Sequence, residues 1–153
     1  MNVNLSLLAP ELFIAALGLA VLILGLIVPK DSRHGLGWLT VFGLLLAMGI
    51  TMAGWENQGT LYGGLFVVDQ YAVFFKLTFL VAAFLVVLGS MRYVDMMDDQ
   101  SEYYSMVLFA TLGMMVLASA GDFMTLYLGL ELMTIAFIVL VCFRRTDVKS
   151  VEA

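Results

Sequence analysis

A single cysteine, Cys142, and a single histidine, His34, occur in 153 residues. One cysteine permits no disulfide within the chain, and the two together leave any His/Cys metal centre short of ligands, which excludes disulfide scaffolds and zinc chemistry. Charge is equally scarce. Asp, Glu, Lys and Arg make up 12% of the residues, against roughly 25% in a soluble globular domain, while 63% are hydrophobic and the mean hydropathy is +1.04. With 7 basic and 12 acidic residues, the chain cannot clothe its apolar side chains in a charged surface, so lipid must solvate them. A net charge of -5 and the lack of any basic stripe exclude nucleic-acid binding.

What is present is a series of long neutral stretches: Leu12 to Val28, Gly35 to Trp55, Leu77 to Met91, Tyr103 to Gly121 and Phe123 to Phe143. Each approaches the roughly 20 residues that a helix needs to cross a bilayer. The third reaches that length if it begins near Tyr71 and holds Lys76 in its early turns, and the fifth is broken only by Glu131. The runs are continuously apolar and lack the in-and-out alternation of barrel strands, so the expected fold class is an all-α polytopic membrane protein with five transmembrane helices. Pro10-Glu11 suits a first helical turn, where proline loses no bond and an acid meets the positive dipole end. Pro29 closes the first helix, and Asp122 caps the fifth, making helices four and five a tight antiparallel hairpin.

Six of the seven basic residues (Lys30, Arg33, Arg92, Arg144, Arg145 and Lys149) follow helices one, three and five and so share one side. The positive-inside rule then places the amino terminus outside and the carboxyl end in the cytoplasm. Met1 to Pro10 lacks the basic opening of a cleaved signal peptide, so the first helix is expected to be retained. Trp55, Tyr62, Tyr71, Tyr103 and Tyr104 fall near expected helix ends, as interface aromatics do.

Glu131 is the most informative position, with apolar residues on both sides for a full helical turn. Counting from Asp122 puts it about 13 Å into a span roughly 30 Å deep. A central acidic residue costs about 2.5–3.5 kcal/mol to insert, so it normally has a polar partner or a purpose. An apolar setting favours its protonated form and a nearby cation its ionised form, which makes Glu131 a candidate proton switch, the alternative being a packing hydrogen bond to a neighbouring helix. Lys76 is the other ionisable group inside a span, roughly 8 Å below the external end. It can snorkel to the headgroups or pair with Glu131 if helices three and five touch.

Asp69 and Asp122 read as helix caps. His34 reads as solvated in a cytoplasmic loop, and Asp95, Asp98, Asp99 and Glu102 as a hydrated surface. Cys142 reads as a small buried apolar residue and the pairs Met96-Met97 and Met114-Met115 as packing. Gly18, Gly25, Gly43 and Gly49 are candidates for close helix approach.

The stretch from Glu102 through Gly121-Asp122-Phe123 and Leu128-Gly129-Leu130-Glu131-Leu132-Met133, running on to Phe143-Arg144-Arg145, resembles the antiporter-like subunits of respiratory complex I, the bacterial proton-translocating NADH:quinone oxidoreductase. The early Ala9-Pro10-Glu11-Leu12 and the Asp69 to Lys76 segment agree with it. The resemblance implies that residues 1–101 carry helices 1 to 3 and that 102–153 carry helices 4 and 5, the start of the first proton-channel repeat in a larger bundle built from inverted repeats. It implies that the glutamate at Glu131 lies on the proton path, paired with a lysine on a broken helix further along the chain. The sequence stops at Ser150-Val151-Glu152-Ala153, before that family's sixth helix, so the resemblance reads it as an amino-terminal portion.

The function implied is coupling of quinone reduction to proton translocation in a bacterial inner membrane. Partners would be the lipid bilayer and other membrane subunits of complex I, while NADH, FMN, iron-sulfur clusters and quinone belong to other subunits and no cofactor to this one. The competing readings are a subunit of a multi-subunit cation/proton antiporter and a non-transport membrane scaffold.

Overall fold

The computed structural model describes residues 5–28, 34–95 and 99–143. All five expected spans are helices: α1 (Ala9–Ile27), α2 (His34–Ala53), α3 (Gln70–Val94), α4 (Gln100–Ala118) and α5 (Phe123–Val141). Each is long and apolar enough to cross a membrane. A 3-10 turn, Leu5–Leu8, leads into α1, whose first turn contains Pro10 as expected. Asp69 caps α3 by accepting a 2.7 Å hydrogen bond from the Ala72 amide, and Asp122 caps α5 by accepting one of 2.9 Å from Thr125. These caps matter because the first amides of a helix have no partner within it. Pro29, Lys30, Arg33, Met96, Met97, Asp98, Arg144, Arg145 and Lys149 lie outside the described residues.

The helices form a ring of four with one outrigger. α1 packs on α2 and α4, and α3 packs on the same two, so α1 and α3 face each other across the ring. α5 packs along α4. The inward stripe of α1 is Glu11, Ile14, Gly18, Val21 and Gly25, and that of α3 is Val73, Lys76, Leu80, Ala83 and Val87. Both alternate steps of three and four residues, the spacing that keeps one side of a helix on a partner. Leu44 and Ala47 of α2 and Leu108 and Met115 of α4 complete the core.

One element departs from the all-α expectation. The connection after α2 contains an antiparallel hairpin of β1 (Gly59–Leu61) and β2 (Phe66–Val68), paired Gly59 to Val68 and Leu61 to Phe66. Its tip turns through Tyr62, Gly63 and Gly64, all at positive φ, a geometry that glycine adopts freely. β2 also reaches the α4–α5 turn: Val67 donates to the Ser119 carbonyl at 2.8 Å and Gly121 donates to the Leu65 carbonyl at 2.9 Å. The hairpin therefore closes one end of the ring and fixes the start of α5.

Smaller expectations are also corrected. His34 is the first residue of α2 and not part of a loop. Tyr104 does not sit at an interface; it is fully buried, against Gly37 on α2. Gly25 closely faces Ser101 on α4, whereas Gly49 faces open space.

Candidate functional site

Glu11 and Lys76 occupy the hairpin-end layer of the two inward stripes. Lys76 stands seven residues after its Asp69 cap, about 10 Å along α3. Side chains on a helix lean toward its amino end, so the lysine stem climbs back to the level of the first turn of α1. There its Nζ lies 2.6 Å from Glu11 Oε1, in an ion pair that bridges the ring diagonal. The two residues are 1% and 4% exposed, values that decide between the alternatives for Lys76. It neither snorkels nor pairs with Glu131. The inward phase of Lys76 with Leu80 and Val87 leads its stem into the core, and a carboxylate is already there.

Two further features adjoin the ammonium. The ring of Phe66, from β2, lies 5.1 Å from Nζ at its centroid, within cation–π range. A small cavity of about 20 Å³ adjoins Lys76, walled by Ser6, Pro10, Thr51, Asn57 and Val73 among others. Both carboxylate oxygens of Glu11 are buried without a hydrogen bond of good geometry among the described residues, Oε1 being met by the ion pair with Lys76 and Oε2 by no polar group. Desolvating two charges costs several kcal/mol per ion before their attraction is counted, so such a pair is an expensive way to join two helices.

Glu131 lies elsewhere. Gly129 is one of the two buried residues of α5 and faces α4. Two residues further on, a helix has turned about 200°, so Glu131 points away from α4 and is exposed on the outer side of the five-helix unit. Its backbone carbonyl accepts a 3.0 Å hydrogen bond from the Thr134 hydroxyl. Among the described residues no cation meets its carboxylate. Asp122, outside the spans, has its carboxyl held below the usual carboxylate range, chiefly by hydrogen bonding with Thr125.

Sequence reasoning placed Glu11 at the dipole end of α1 but missed its partner. The signal was available in the phase of the two stripes, which puts Glu11 with Gly18 and Gly25, and Lys76 with Leu80 and Val87, at matching heights.

No family model matches the chain. NADH-quinone oxidoreductase subunit N of Desulforamulus reducens is 58% identical over 100% of this chain and 32% of its own length. F(420)H(2) dehydrogenase subunit N of Methanosarcina mazei is 37% identical over 95% of the chain and 31% of its own length. Among solved structures, a chain of respiratory complex I from Thermus thermophilus, with bound aureothin, superposes with a TM-score of 0.73 at 26% identity, covering 90% of this chain and 30% of that one. The chain thus spans about a third of the length of the curated relatives it matches. Over that third it is similar to the amino-terminal part of subunit N of NADH-quinone oxidoreductases.

Proposed function

We propose that this chain is the amino-terminal part of a subunit N and serves proton translocation coupled to quinone reduction in a multi-subunit membrane oxidoreductase, with Glu131 as a proton-path residue. The observation that carries the reading is the combination of 58% identity to a named subunit N along the whole chain with a mid-helix carboxylate turned away from every helix that packs on its own. In this reading Glu131 faces a cationic partner beyond α1–α5, and residues 102–153 open the first proton-channel repeat. Changing the distance to that partner changes how strongly the carboxylate holds its proton. Moving one charge against 100 mV costs about 2.3 kcal/mol, a scale that one such electrostatic rearrangement can supply.

The hairpin end of the ring faces outward and the end carrying Arg92 faces the cytoplasm, as the distribution of Lys and Arg supports. The host membrane is the bacterial inner membrane and the partners are the other membrane subunits of the complex. NADH, flavin, iron-sulfur clusters and quinone are handled by other subunits, so this chain carries protons and not electrons. The Methanosarcina relative is named as a subunit of an F(420)H(2) dehydrogenase, which supports an electron donor set by the rest of the assembly.

The test is Glu131→Gln and Glu131→Ala in the assembled enzyme, reconstituted in vesicles. Quinone reduction with lost proton pumping supports the reading; normal pumping in both variants overturns it. Failure of assembly in both points to a scaffold. Co-purification with flavin and iron-sulfur absorbance separates the oxidoreductase from a cation/proton antiporter, which lacks both.

A further inference from the structure

Lys76 has three N–H donors. Its Nζ is paired with the Glu11 carboxylate and lies 5.1 Å from the centroid of the Phe66 ring, and the same side chain lines the cavity beside it. At about 20 Å³ that cavity exceeds the roughly 10–15 Å³ a single water needs, and it supplies the several polar partners such a water requires. The polar residues Lys76, Thr51 and Asn57 are among those lining it. Thr51 already donates to the Ala47 carbonyl at 2.8 Å, so its oxygen can accept from a water. Ser6 and Asn57, which also line the cavity, are exposed, so the cavity reaches the hairpin-end surface. Of the elements around it, α1 contributes Glu11 and α3 contributes Lys76, while the lining from α2, β2 and the turn after α2 is not ionisable.

We propose that Glu11 and Lys76, with one water in this cavity, form a proton-exchange site that opens at the hairpin end of the ring and is separate from Glu131. The inference rests on the proton-translocating reading above. In the exchange, an Nζ–H bond of Lys76 breaks as an O–H bond forms on Glu11, giving a neutral amine beside a carboxylic acid. A hydronium ion arriving through the cavity then returns a proton to the amine and leaves as water. The net result is one proton taken from the aqueous phase and stored on Glu11, beside a restored ammonium. Release is the reverse. The unpartnered Oε2 supplies a second oxygen on which that proton can reside, and the pair's cost in desolvation is accounted for by its use.

The test uses the assembled enzyme in vesicles and two readouts: protons moved per quinone reduced, and the turnover-induced infrared difference spectrum in H2O and D2O. The wild type is expected to show a carboxylic-acid C=O band that shifts in D2O and is lost in Glu11→Gln. Thr51→Leu, which fills the water's space and leaves the ion pair intact, is expected to lose the same band and to lower the proton yield. If Glu11→Gln fails to assemble, Thr51→Leu decides alone. An unchanged proton yield and band in Thr51→Leu, or a wild-type spectrum without that band, overturns the proposal. Glu131→Gln on the same preparation separates the two readings: if it uncouples the enzyme while Thr51→Leu does not, only the Glu11–Lys76 site falls.

Discussion

Gly113 on α4 and Gly129 on α5 approach so closely that a Cβ added to Gly113 would lie 2.9 Å from the Gly129 carbonyl oxygen and 2.6 Å from the Met133 amide nitrogen. No flexible side chain is there to yield; the neighbours are backbone. Gly113→Ala is therefore expected to push α5 off α4 and to cost roughly 1–3 kcal/mol, the range for overpacking. A lowered thermal midpoint of the assembled enzyme, with a larger loss for Gly113→Val, checks this. An unchanged midpoint in both would show that the two helices do not meet there.

The Glu11–Lys76 pair predicts strong non-additivity. Removing one partner, by Lys76→Met or Glu11→Leu, leaves a buried charge alone and should cost about 3–5 kcal/mol, whereas the double replacement should recover most of the loss. A double-mutant cycle on thermal or denaturant stability reads the coupling. Additive losses would contradict an ion pair across the ring.

Asp122 carries a pH signature. Its folded carboxyl holds its proton less tightly than an unfolded one, because it accepts a hydrogen bond from Thr125 at the start of α5. The stabilisation is complete above the unfolded value and fades as pH falls through the folded one. Asp122→Asn keeps an acceptor at the cap but removes the titration, so its thermal midpoint should depend less on pH than the wild type's across the acidic range. Asp122→Ala should be less stable than either at neutral pH.

The hairpin's attachment is testable at one amide. Val67→Pro deletes the donor to the Ser119 carbonyl and should expose the turn at Ser119–Gly121. Faster amide exchange at Gly121 and Thr125, with the middle of α3 unaffected, is the expected pattern. Uniform exchange across the chain would indicate general unfolding and not a local release.

Much of this architecture is legible in the residues themselves. Five uninterrupted apolar runs dictate five helices, because backbone polar groups in lipid can be satisfied only within the segment or in a closed barrel. The caps at Asp69 and Asp122 were legible for the same reason. The β1–β2 hairpin was not, since strands of three residues carry too few positions to show a period. Nor could the outward side of α5 be read: a helix apolar all round declares no preferred face, and it is the burial of Gly129 against Gly113, with Ala136 on the same face, that turns Glu131 outward. Lys76 was recognised as unusual, yet the choice between lipid surface and interior depended on comparing the phases of two helices that are far apart in the chain.

That same glycine contact governs how α5 can move. Gly129 and Ala136 are its buried residues, so the helix is tethered along a narrow seam with Glu131 two positions from the tightest point. Rocking about that fulcrum would leave the depth of the carboxylate almost unaltered, while a twist of α5 around its own axis would sweep it sideways. Whatever lies against the outer flank of α5 thus controls the bearing of the acid more readily than its height in the membrane.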